Sequence, residues 1–317
     1  MTQVSIAIVN WNTGELLAKC VQSLLNVADS DRIAEIIVVD NASTDTSFAK
    51  AQAEVRGDAR ANKVIWIPLK TNAGFAKANN LALQRIHERH PSDSAHVLLL
   101  NPDTKVSSGA LQQLLAVLDR NPQAGIVGPK LLNTDGTHQP SVRAFPTGSV
   151  LTVFFLKLAR LLPLQGFWGR YLQTDFDYTK EQPTDQVMGA AFLIRNSLLD
   201  PKHAQYVGRL DEAFFVWFEE VDYCRRAKAS GWQTVYTPLA TITHHGGASF
   251  AQLLGVRRVL PYLKSALHYS RKHLSLLTTI ILFLLLPISV LLAVPAALVH
   301  MVFRQQNKVR LKGTYAQ

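Results

Sequence analysis

The chain has 317 residues, 48% of them hydrophobic, and a formal net charge of +10 at neutral pH. This length fits one large domain or two small ones, and the positive charge suits an anionic membrane, a phosphorylated substrate or nucleic acid. Only two cysteines, Cys20 and Cys224, are present. They exclude a disulfide framework and a cysteine-based metal cluster, and they favour a reducing cytoplasm.

The N-terminal part of the chain alternates short apolar runs with amphipathic runs. Helices are predicted at 15–27, after the polar turn 42–45, and at 75–89. This alternation predicts βαβ units around a parallel sheet, which binds ligands at the carboxyl ends of its strands. The runs that predict buried strands are 4–9, 35–39, 64–68 and 96–100.

Polar residues follow three of these predicted strands. Asp40 ends the second, Asn72 lies in the loop 71–74 after the third, and Asp103 follows the fourth. A carboxylate at this edge suits Mg²⁺ or Mn²⁺, which bind one or two carboxylates together with phosphate oxygens and water. The patterns G-x-G-x-x-G after the first strand and G-x-x-x-x-G-K-[ST] are absent. Their absence disfavours a dinucleotide dehydrogenase and a P-loop enzyme.

The segment FVWFEEVDYCRRAKASGWQ, residues 215–233, joins an aromatic run to three carboxylates. Gly231 indicates a helix end, so the pattern predicts a helix at 219–229. Its buried face would comprise Val221, Cys224 and Ala227. Acids in the first turn and bases in the last complement the helix dipole. Three acids beside aromatic residues nevertheless repel one another and are poorly solvated, which favours a functional role.

Two further apolar stretches are long enough to matter. Residues 149–168 carry only two charges and predict either an interfacial amphipathic helix or a core helix. Residues 274–303 contain no acid, lysine or arginine and exceed the roughly 20 residues that span a bilayer. We therefore expect a membrane segment there, after a basic juxtamembrane helix at 251–273 and before a basic tail at 304–317.

Pro287 and Pro295 interrupt the predicted membrane segment and leave its path open. One alternative is a single tilted or kinked span. Another is a re-entrant hairpin bent near Pro287, which the positive charges on both flanks favour. The third is a buried core helix.

Seven segments occur in an order that indicates a family. They are VSIAIVNWN, EIIVVDNASTD, TNAGFAKANN, LLLNPDT, VMGAAFLIR, FFVWFEEVDYCRRAKASGW and THHGGAS. Together they resemble an inverting family 2 glycosyltransferase of the rhamnosyltransferase-like subgroup, over roughly residues 3–250. The resemblance implies a GT-A fold, an α/β fold with a Rossmann-like mixed sheet flanked by helices. It also implies a catalytic domain at 1–250, with a nucleotide-sugar half at 1–130 and an acceptor half at 131–250.

The resemblance also implies a donor site. Asp40 would bind the nucleobase, Gly74 would let the backbone approach the nucleotide, and Asp103 would be the metal-binding acid of a D-x-D-like motif. His244 matches the histidine that completes the metal or diphosphate site, and the adjacent His245 leaves that choice open. The expected nucleotide-sugar-binding residues are Asn10, Asp40, Asn72, Gly74, Asn101 and Asp103.

On the acceptor side, the resemblance places Glu220 at the position of the catalytic base, where the family more often has aspartate. Glu219 and Asp222 would support it, and Asp222 is the alternative base. The aromatic run 214–218, with Trp217, would form a wall that desolvates the acceptor and raises the pKa of the base. Gly189 and Ala190 complete the expected acceptor site.

The substrates are expectations from the resemblance and the charge. The best candidate donor is dTDP-rhamnose, and the expected acceptor is a polyprenyl-diphosphate-linked saccharide of surface polysaccharide synthesis. The expected location is the cytoplasmic face of the inner or plasma membrane, through the C-terminal segment, and a homo-oligomer stays open. An inactive nucleotide-sugar-binding scaffold is the alternative function, which the intact acids disfavour. Nucleic acid is not an expected partner because the basic residues form no stripe.

Overall fold

The computed structural model describes residues 2–89, 95–162, 165–247 and 256–292, which form a mixed sheet between helices. The strands are β1 (Gln3–Asn10), β2 (Ile33–Asp40), β3 (Val64–Pro68), β4 (Ala95–Leu100), β5 (Thr104–Val106), β6 (Ala124–Leu132), β7 (His138–Gln139), β8 (Val142–Arg143), β9 (Gln182–Thr184), β10 (Gln186–Val187), β11 (Ala191–Ile194) and β12 (Gln233–His244). The α-helices are α1 (Leu16–Asn26), α2 (Ser47–Val55), α3 (Phe75–Arg89), α4 (Ala110–Arg120), α5 (Gly148–Phe155), α6 (Gly166–Leu172), α7 (Glu219–Ala229), α8 (Val256–His273) and α9 (Leu276–Leu291).

The main sheet runs in the order β3-β2-β1-β4-β11-β6-β12-β5. Its first four strands are parallel, as the alternation of the sequence predicted. Strand β11 is antiparallel to both β4 and β6, and β12 is parallel to β6. The predicted α/β class and the mixed sheet are therefore confirmed, and β3, α3 and α7 have the predicted bounds.

The strands are apolar along their whole length because helices cover both faces of the sheet. Ile6 and Ile8 of β1 pack in the layer that contains α1 and α4. The alternate residues Ala7 and Val9 pack in the opposite layer, with α3 and α7. The two layers hold the carboxyl ends of β1, β2 and β4 at one edge of the sheet.

The apolar stretch 149–168 is not the single helix that its composition predicted. Helix α5 ends at Phe155, and Lys157 takes a left-handed backbone conformation with φ of 55°. A 3-10 turn, Leu158–Leu161, follows before α6 begins. Helix α5 packs against α8 and α9, and its buried residues are Val150, Leu151, Val153 and Phe155.

The C-terminal part of the described chain forms two helices. Helix α8 lies within the predicted basic helix 251–273, and α9 is 16 residues long. Helix α9 continues through Pro287 to Leu291, so the predicted bend near Pro287 is wrong. Among the described residues, no helix has both the length and the apolarity needed to cross a membrane. Residues 293–303 of the predicted membrane segment, and the tail 304–317, lie outside the described residues.

Gly128 on β6 is a position where any side chain should destabilise the fold. A Cβ atom there would lie 2.6 Å from Cβ of Val187, whereas nothing lies within 4 Å of a Cβ at Gly57. We expect Gly128→Ala to lower the free energy of unfolding in urea by about 1–3 kcal/mol, the usual cost of an overpacked core. Gly57→Ala should change it by less than about 0.5 kcal/mol. Equal stabilities of the two variants would contradict this packing.

Candidate active site

The carboxyl ends of β1 and β2 hold Asp40 in a network of hydrogen bonds. Its Oδ1 accepts from Asn10 Nδ2 at 2.8 Å and from Ser43 Oγ at 2.6 Å, and its Oδ2 accepts from the Ser43 amide at 3.1 Å. Asn10 is completely buried and also donates to Ser47 Oγ. The structure therefore places Asn10 behind Asp40, where it orients the carboxylate.

The loop that contains Asn72 and Gly74 is tied to the rest of the site by Asn41. Asn41 Oδ1 accepts from the amide of Ala73 at 2.7 Å, and its Nδ2 donates to the carbonyl of Gly74 at 3.2 Å. Asn72 Oδ1 accepts from the Gly74 amide. Sequence reasoning missed Asn41, although it directly follows Asp40 in a segment that carries the resemblance.

Gly74 is required because of a close approach, but the approaching group is part of the protein. Its φ is +86°, and a Cβ atom there would lie 2.7 Å from the carbonyl oxygen of Phe215. The amide of Phe75 donates to the same oxygen at 2.6 Å. The loop that contains Asn72 and Gly74 is therefore joined to the aromatic run that precedes the predicted base.

Asp103 and His244 meet because β5 pairs with the end of β12. Thr104 lies opposite His244 in this antiparallel pair. His244 Nε2 is 3.4 Å from Asp103 Oδ1, and both residues are buried. His245 is exposed, and its backbone amide donates to the carbonyl oxygen of Asp103 at 3.0 Å. Of the two histidines left open by the sequence, the structure places His244 at the carboxylate.

The Asp103–His244 pair fits part of a metal site. His244 Nδ1 lies 2.8 Å from Gln139 Oε1, and Gln139 Nε2 donates to Asn133 Oδ1, which fixes the orientation of the amide. In the tautomer that donates from Nδ1 to Gln139, His244 presents the lone pair of Nε2 to a carboxylate oxygen. Two facing lone-pair donors suit a divalent cation, and the outer partner Gln139 fixes the tautomer.

Metal binding by this pair needs further ligands. The described residues contain no cluster of three or more histidine, cysteine, aspartate or glutamate side chains that suits a metal ion. Phosphate oxygens and water supply the missing ligands in sites of this kind. Asn101 occupies the first position of the D-x-D-like motif. Its backbone amide donates to the Ala190 carbonyl at 2.9 Å, which anchors the end of β4.

The predicted base stands at the start of α7, after an unusual turn. Trp217 and Phe218 have left-handed backbones, with φ of 65° and 72°. Such conformations cost on the order of 1–3 kcal/mol each and are concentrated at functional sites. A Cβ atom on Gly189 would lie 3.5 Å from Cγ of Glu220, so these two residues face each other. The next residue, Ala190, accepts from the backbone amide of Asn101, two residues before Asp103. Residues 189–190 therefore lie between Glu220 and the segment that bears Asp103.

The carboxylates of Glu219 and Glu220 are held in a poorly solvated environment. Oε2 of each is buried and has no hydrogen-bond partner among the described residues. Burial raises the pKa of Glu220 above the ordinary value of a glutamate. Burial, together with the charge of Glu220, raises the pKa of Glu219 well above that value. Burial and mutual repulsion therefore disfavour the state in which both carboxyl groups are ionised.

Asp222 differs from Glu219 and Glu220 because basic side chains bind both oxygens of its carboxylate. It is fully buried, its Oδ1 accepts from His273 Nε2 at 2.6 Å and Lys272 Nζ at 2.8 Å, and its Oδ2 accepts from Arg226 Nε at 2.8 Å. Burial alone would raise the pKa of Asp222, but the hydrogen bond from His273 and the charge of Arg226 lower it. The arrangement fits an anchor that ties α8 to α7 and disfavours Asp222 as the base.

The anchor predicts a stability effect without a catalytic one. Asp222→Asn should lower the free energy of unfolding by about 2–3 kcal/mol at pH 7, because it breaks the ion pairs with Lys272 and Arg226. The loss is smaller than for a fully buried pair because both basic side chains are partly exposed to solvent. Since folding lowers the pKa of Asp222, its contribution is present above about pH 4 and is lost as pH falls further. Urea unfolding at several pH values measures this. A loss of kcat above about 10²-fold in folded Asp222→Asn would restore this residue as the base.

Comparison with known proteins identifies the family. The family described as "Glycosyltransferase like family 2" matches residues 2–258. The N-acetylglucosaminyl-diphospho-decaprenol L-rhamnosyltransferase of Mycobacterium tuberculosis (strain ATCC 25618 / H37Rv) is 29% identical over 257 residues, covering 77% of each chain. The rhamnosyltransferase WbbL of Escherichia coli (strain K12) is 26% identical over 184 residues, covering 56% of this chain and 64% of WbbL.

Two solved structures share the fold. The structure of GalNAc-T7 with UDP, GalNAc and Mn²⁺ has a TM-score of 0.55 at 16% identity, over 77% of this chain and 44% of that one. The structure of S. aureus TarS 1–349 in complex with UDP-GlcNAc has a TM-score of 0.51 at 14% identity, over 88% and 69%. These likenesses support the GT-A-like α/β fold that the sequence segments implied.

The family match covers most of the chain and includes every predicted site residue. The relatives named as rhamnosyltransferases agree with the subgroup that the seven segments indicated. The chain belongs to glycosyltransferase family 2, in its rhamnosyltransferase-like group, and is a glycosyltransferase.

Proposed function

We propose that the protein transfers a sugar, with inversion, from a nucleoside-diphosphate donor to a hydroxyl group of a lipid-linked saccharide. The observation that carries this proposal is the half-buried Glu220, whose Oε2 is buried and which faces Gly189 close to the Asn101–Asp103 segment. Direct displacement needs a base at the acceptor and a charged site at the leaving diphosphate. Residues 1–130 supply most of the donor site in this proposal, and residues 131–250 supply the acceptor site.

The chemistry follows from the environment of each residue. Glu220 accepts the proton of the acceptor hydroxyl as that oxygen bonds to the anomeric carbon of the donor. The bond from that carbon to the phosphate oxygen breaks, and the nucleoside diphosphate leaves with the electron pair. Burial and the charge of Glu220 both raise the pKa of Glu219, which disfavours a second negative charge beside the base. Asp103 and His244 would hold Mg²⁺ or Mn²⁺, whose charge stabilises the leaving diphosphate when bound.

The donor proposed is dTDP-rhamnose. Asp40 accepts three hydrogen bonds within the protein, of about four that a carboxylate can accept. The remaining acceptor position suits the N3–H of thymine or uracil, which favours a pyrimidine nucleotide. The name of the mycobacterial relative specifies rhamnose and a diphospho-decaprenol-linked acceptor, which supports the proposed donor sugar and the proposed lipid-linked acceptor.

We also propose that the protein works at the cytoplasmic face of the membrane. The outer side of α9 exposes large apolar side chains, including Phe283, Leu284 and Leu291. Lys264 and Arg271 of the neighbouring α8 are also exposed. An apolar face beside positive charges is the pattern of a helix that lies in the surface of an anionic bilayer.

A donor panel tests the proposed function. Purified full-length protein with Mg²⁺ receives UDP-, dTDP- and GDP-sugars, with and without N-acetylglucosaminyl-diphospho-decaprenol, and release of nucleoside diphosphate is measured. The proposal predicts release that depends on the lipid and occurs with dTDP-rhamnose. No release from any donor, by folded protein that still binds nucleotide, would favour a non-catalytic nucleotide-sugar binder.

The raised pKa of Glu220 predicts the pH dependence of transfer. The base must be ionised, so kcat/KM should fall tenfold per pH unit below the pKa of Glu220. This acidic limb should lie above the ordinary pKa of a glutamate. Burial is the cause that raises the pKa of Glu220, so Glu219→Gln, which keeps the burial, should leave the limb nearly in place. A pH–rate profile of both proteins measures this. A limb at or below about pH 4.3 would contradict the buried base.

A further inference from the structure

A cavity of about 330 Å³ lies between α5, α8 and α9, beside Trp217. Its walls are mainly aromatic and aliphatic, and we call it the α5–α8 pocket. Its lining includes Phe154, Lys157, Trp217, Val259, Tyr262 and Ser289. Its volume is at the lower end of the roughly 300–1,000 Å³ of ligand pockets, and apolar walls with few polar groups are typical of such sites.

Aromatic rings connect this pocket to Glu220. The ring of Trp217 lies 5.9 Å from that of Tyr262, which lies 5.8 Å from Phe154. Phe154 in turn lies 5.8 Å from Tyr171. Burial raises the pKa of Tyr171 to about 12, and the nearby charge of Glu220 contributes in the same direction. Tyr171 therefore lies near the predicted base on one side and against the pocket wall on the other.

The pocket also has a charged group at its edge. Within the described chain, Lys157 is the one charged side chain among the pocket-lining residues. Its Nζ donates to the carbonyl of Leu292 at 3.0 Å, and burial lowers its pKa. The Lys157 side chain is exposed, so a phosphate group can reach its ammonium group and form a charge-assisted hydrogen bond.

The other side of the pocket adjoins exposed apolar surface. Ser289 lines the pocket through α9, and its neighbour in the chain, Ile288, is 45% exposed. Leu291 on the same helix is 69% exposed, and Leu161 after α5 is 79% exposed. A hydrocarbon chain that leaves the pocket would therefore stay against apolar side chains, as it would not on an ordinary protein surface.

We propose that the α5–α8 pocket binds the isoprenoid chain of the lipid-linked acceptor, with Lys157 pairing with its diphosphate. This inference rests on the proposed function for the identity of the acceptor. A chain held there extends from the aromatic residues beside Glu220 to the exposed face of α9. The acyl chains of membrane lipids share the hydrocarbon chemistry, so the experiment must separate these two sources.

The test uses a decaprenyl diphosphate with a photoreactive diazirine in its first isoprene units, added to full-length protein without donor. Labelled peptides, identified by mass spectrometry, should come from α5, α8 and α9. Val259→Trp, which fills the pocket, should reduce this labelling at least tenfold. Leu239→Trp, at an exposed site on β12, should not change it. Lys157→Met tests the charge independently and should weaken labelling severalfold.

Competition distinguishes the two sources of hydrocarbon. Unlabelled decaprenyl phosphate should suppress the labelling, and phosphatidylglycerol at the same concentration should not. Equal suppression by both would overturn the isoprenoid assignment in favour of bilayer lipid. Labelling that maps elsewhere, or is unchanged in both Val259→Trp and Lys157→Met, would overturn the pocket itself.

Kinetics separate a failure of the pocket from a failure of the proposed function. Val259→Trp should raise KM about tenfold for N-acetylglucosaminyl-diphospho-decaprenol and leave KM unchanged for the same head group on one isoprene unit. Specific labelling without transfer to either acceptor would contradict the proposed function and keep the pocket. Transfer with equal KM values in both proteins would contradict the pocket and keep the function.

Discussion

Glu220→Gln should lower kcat by about 10²–10⁴-fold, the usual contribution of a positioned general base. Glutamine has nearly the same shape but accepts no proton, so the acceptor hydroxyl must attack without losing its proton to the enzyme. In the proposed site the donor nucleotide binds at the ends of β1, β2 and β4, so its Kd should change by less than about twofold. The measurements are steady-state kcat with dTDP-rhamnose and calorimetric Kd for dTDP.

Two matched variants sharpen this result. Glu220→Asp restores the residue that the family more often has at this position and should retain part of the activity. Glu88→Gln, on the exposed side of α3, makes the same chemical change away from the site and should have no effect. Turnover of Glu220→Gln at the native rate would remove Glu220 from the mechanism. Loss of nucleotide binding together with turnover would indicate a structural role.

Asp103→Ala should remove the part of donor affinity that depends on Mg²⁺ and lower kcat by about 10²-fold or more. A bound cation stabilises the leaving diphosphate by several kcal/mol, and each 1.4 kcal/mol is about a factor of ten in rate. Calorimetry of dTDP binding, with Mg²⁺ and with a chelator, measures the first effect without requiring turnover. Native protein that binds dTDP equally well in both conditions would contradict a metal at Asp103.

The two adjacent histidines provide the control for the metal site. His244 faces the Asp103 carboxylate and is buried, whereas His245 is exposed. His244→Ala should weaken the effect of Mg²⁺ on dTDP binding, and His245→Ala should leave it unchanged. The reverse result would mean that His245 turns toward the diphosphate when the donor binds.

The sequence predicted the N-terminal half of the fold well because its strands are buried on both faces. Such strands are short, continuous apolar runs, and the helices between them carry a clear period. The second half was harder to predict. Strand β11 has four residues and β5 has three, too short for a period, and they enter the sheet between or beside strands distant in sequence. The break of the apolar stretch at Lys157 is a backbone conformation that composition does not reveal.

The location of a candidate site residue was predictable where that residue directly follows a predicted strand. Asp40 and Asp103 follow predicted strands, and the sheet brings them to one edge. Asn41 and Gln139 were missed because they act through partners far away in sequence, Ala73 and His244. Gln139 and His244 are 105 residues apart, and nothing in either segment indicates the contact.

The contacts of Asp222 were also not predictable, because its partners on α8 are distant in sequence. Its spacing from Glu220 suggested a catalytic partner, yet its hydrogen bonds lead to α8, whose His273 is 51 residues later. The sequence does not distinguish a buried carboxylate that is bonded to an arginine, a lysine and a histidine from a carboxylate that lies beside apolar groups. Only the packing of α8 against α7 separates the anchor from the base.

The central claim is direct displacement by a hydroxyl group that Glu220 deprotonates. The anomeric configuration of the product, determined by NMR of the isolated lipid-linked saccharide, tests it most directly. A single displacement predicts that the new glycosidic bond has the configuration opposite to that of the sugar in its donor. Retention of the donor's configuration would contradict the account, because it requires two displacements or attack from the side of the leaving diphosphate.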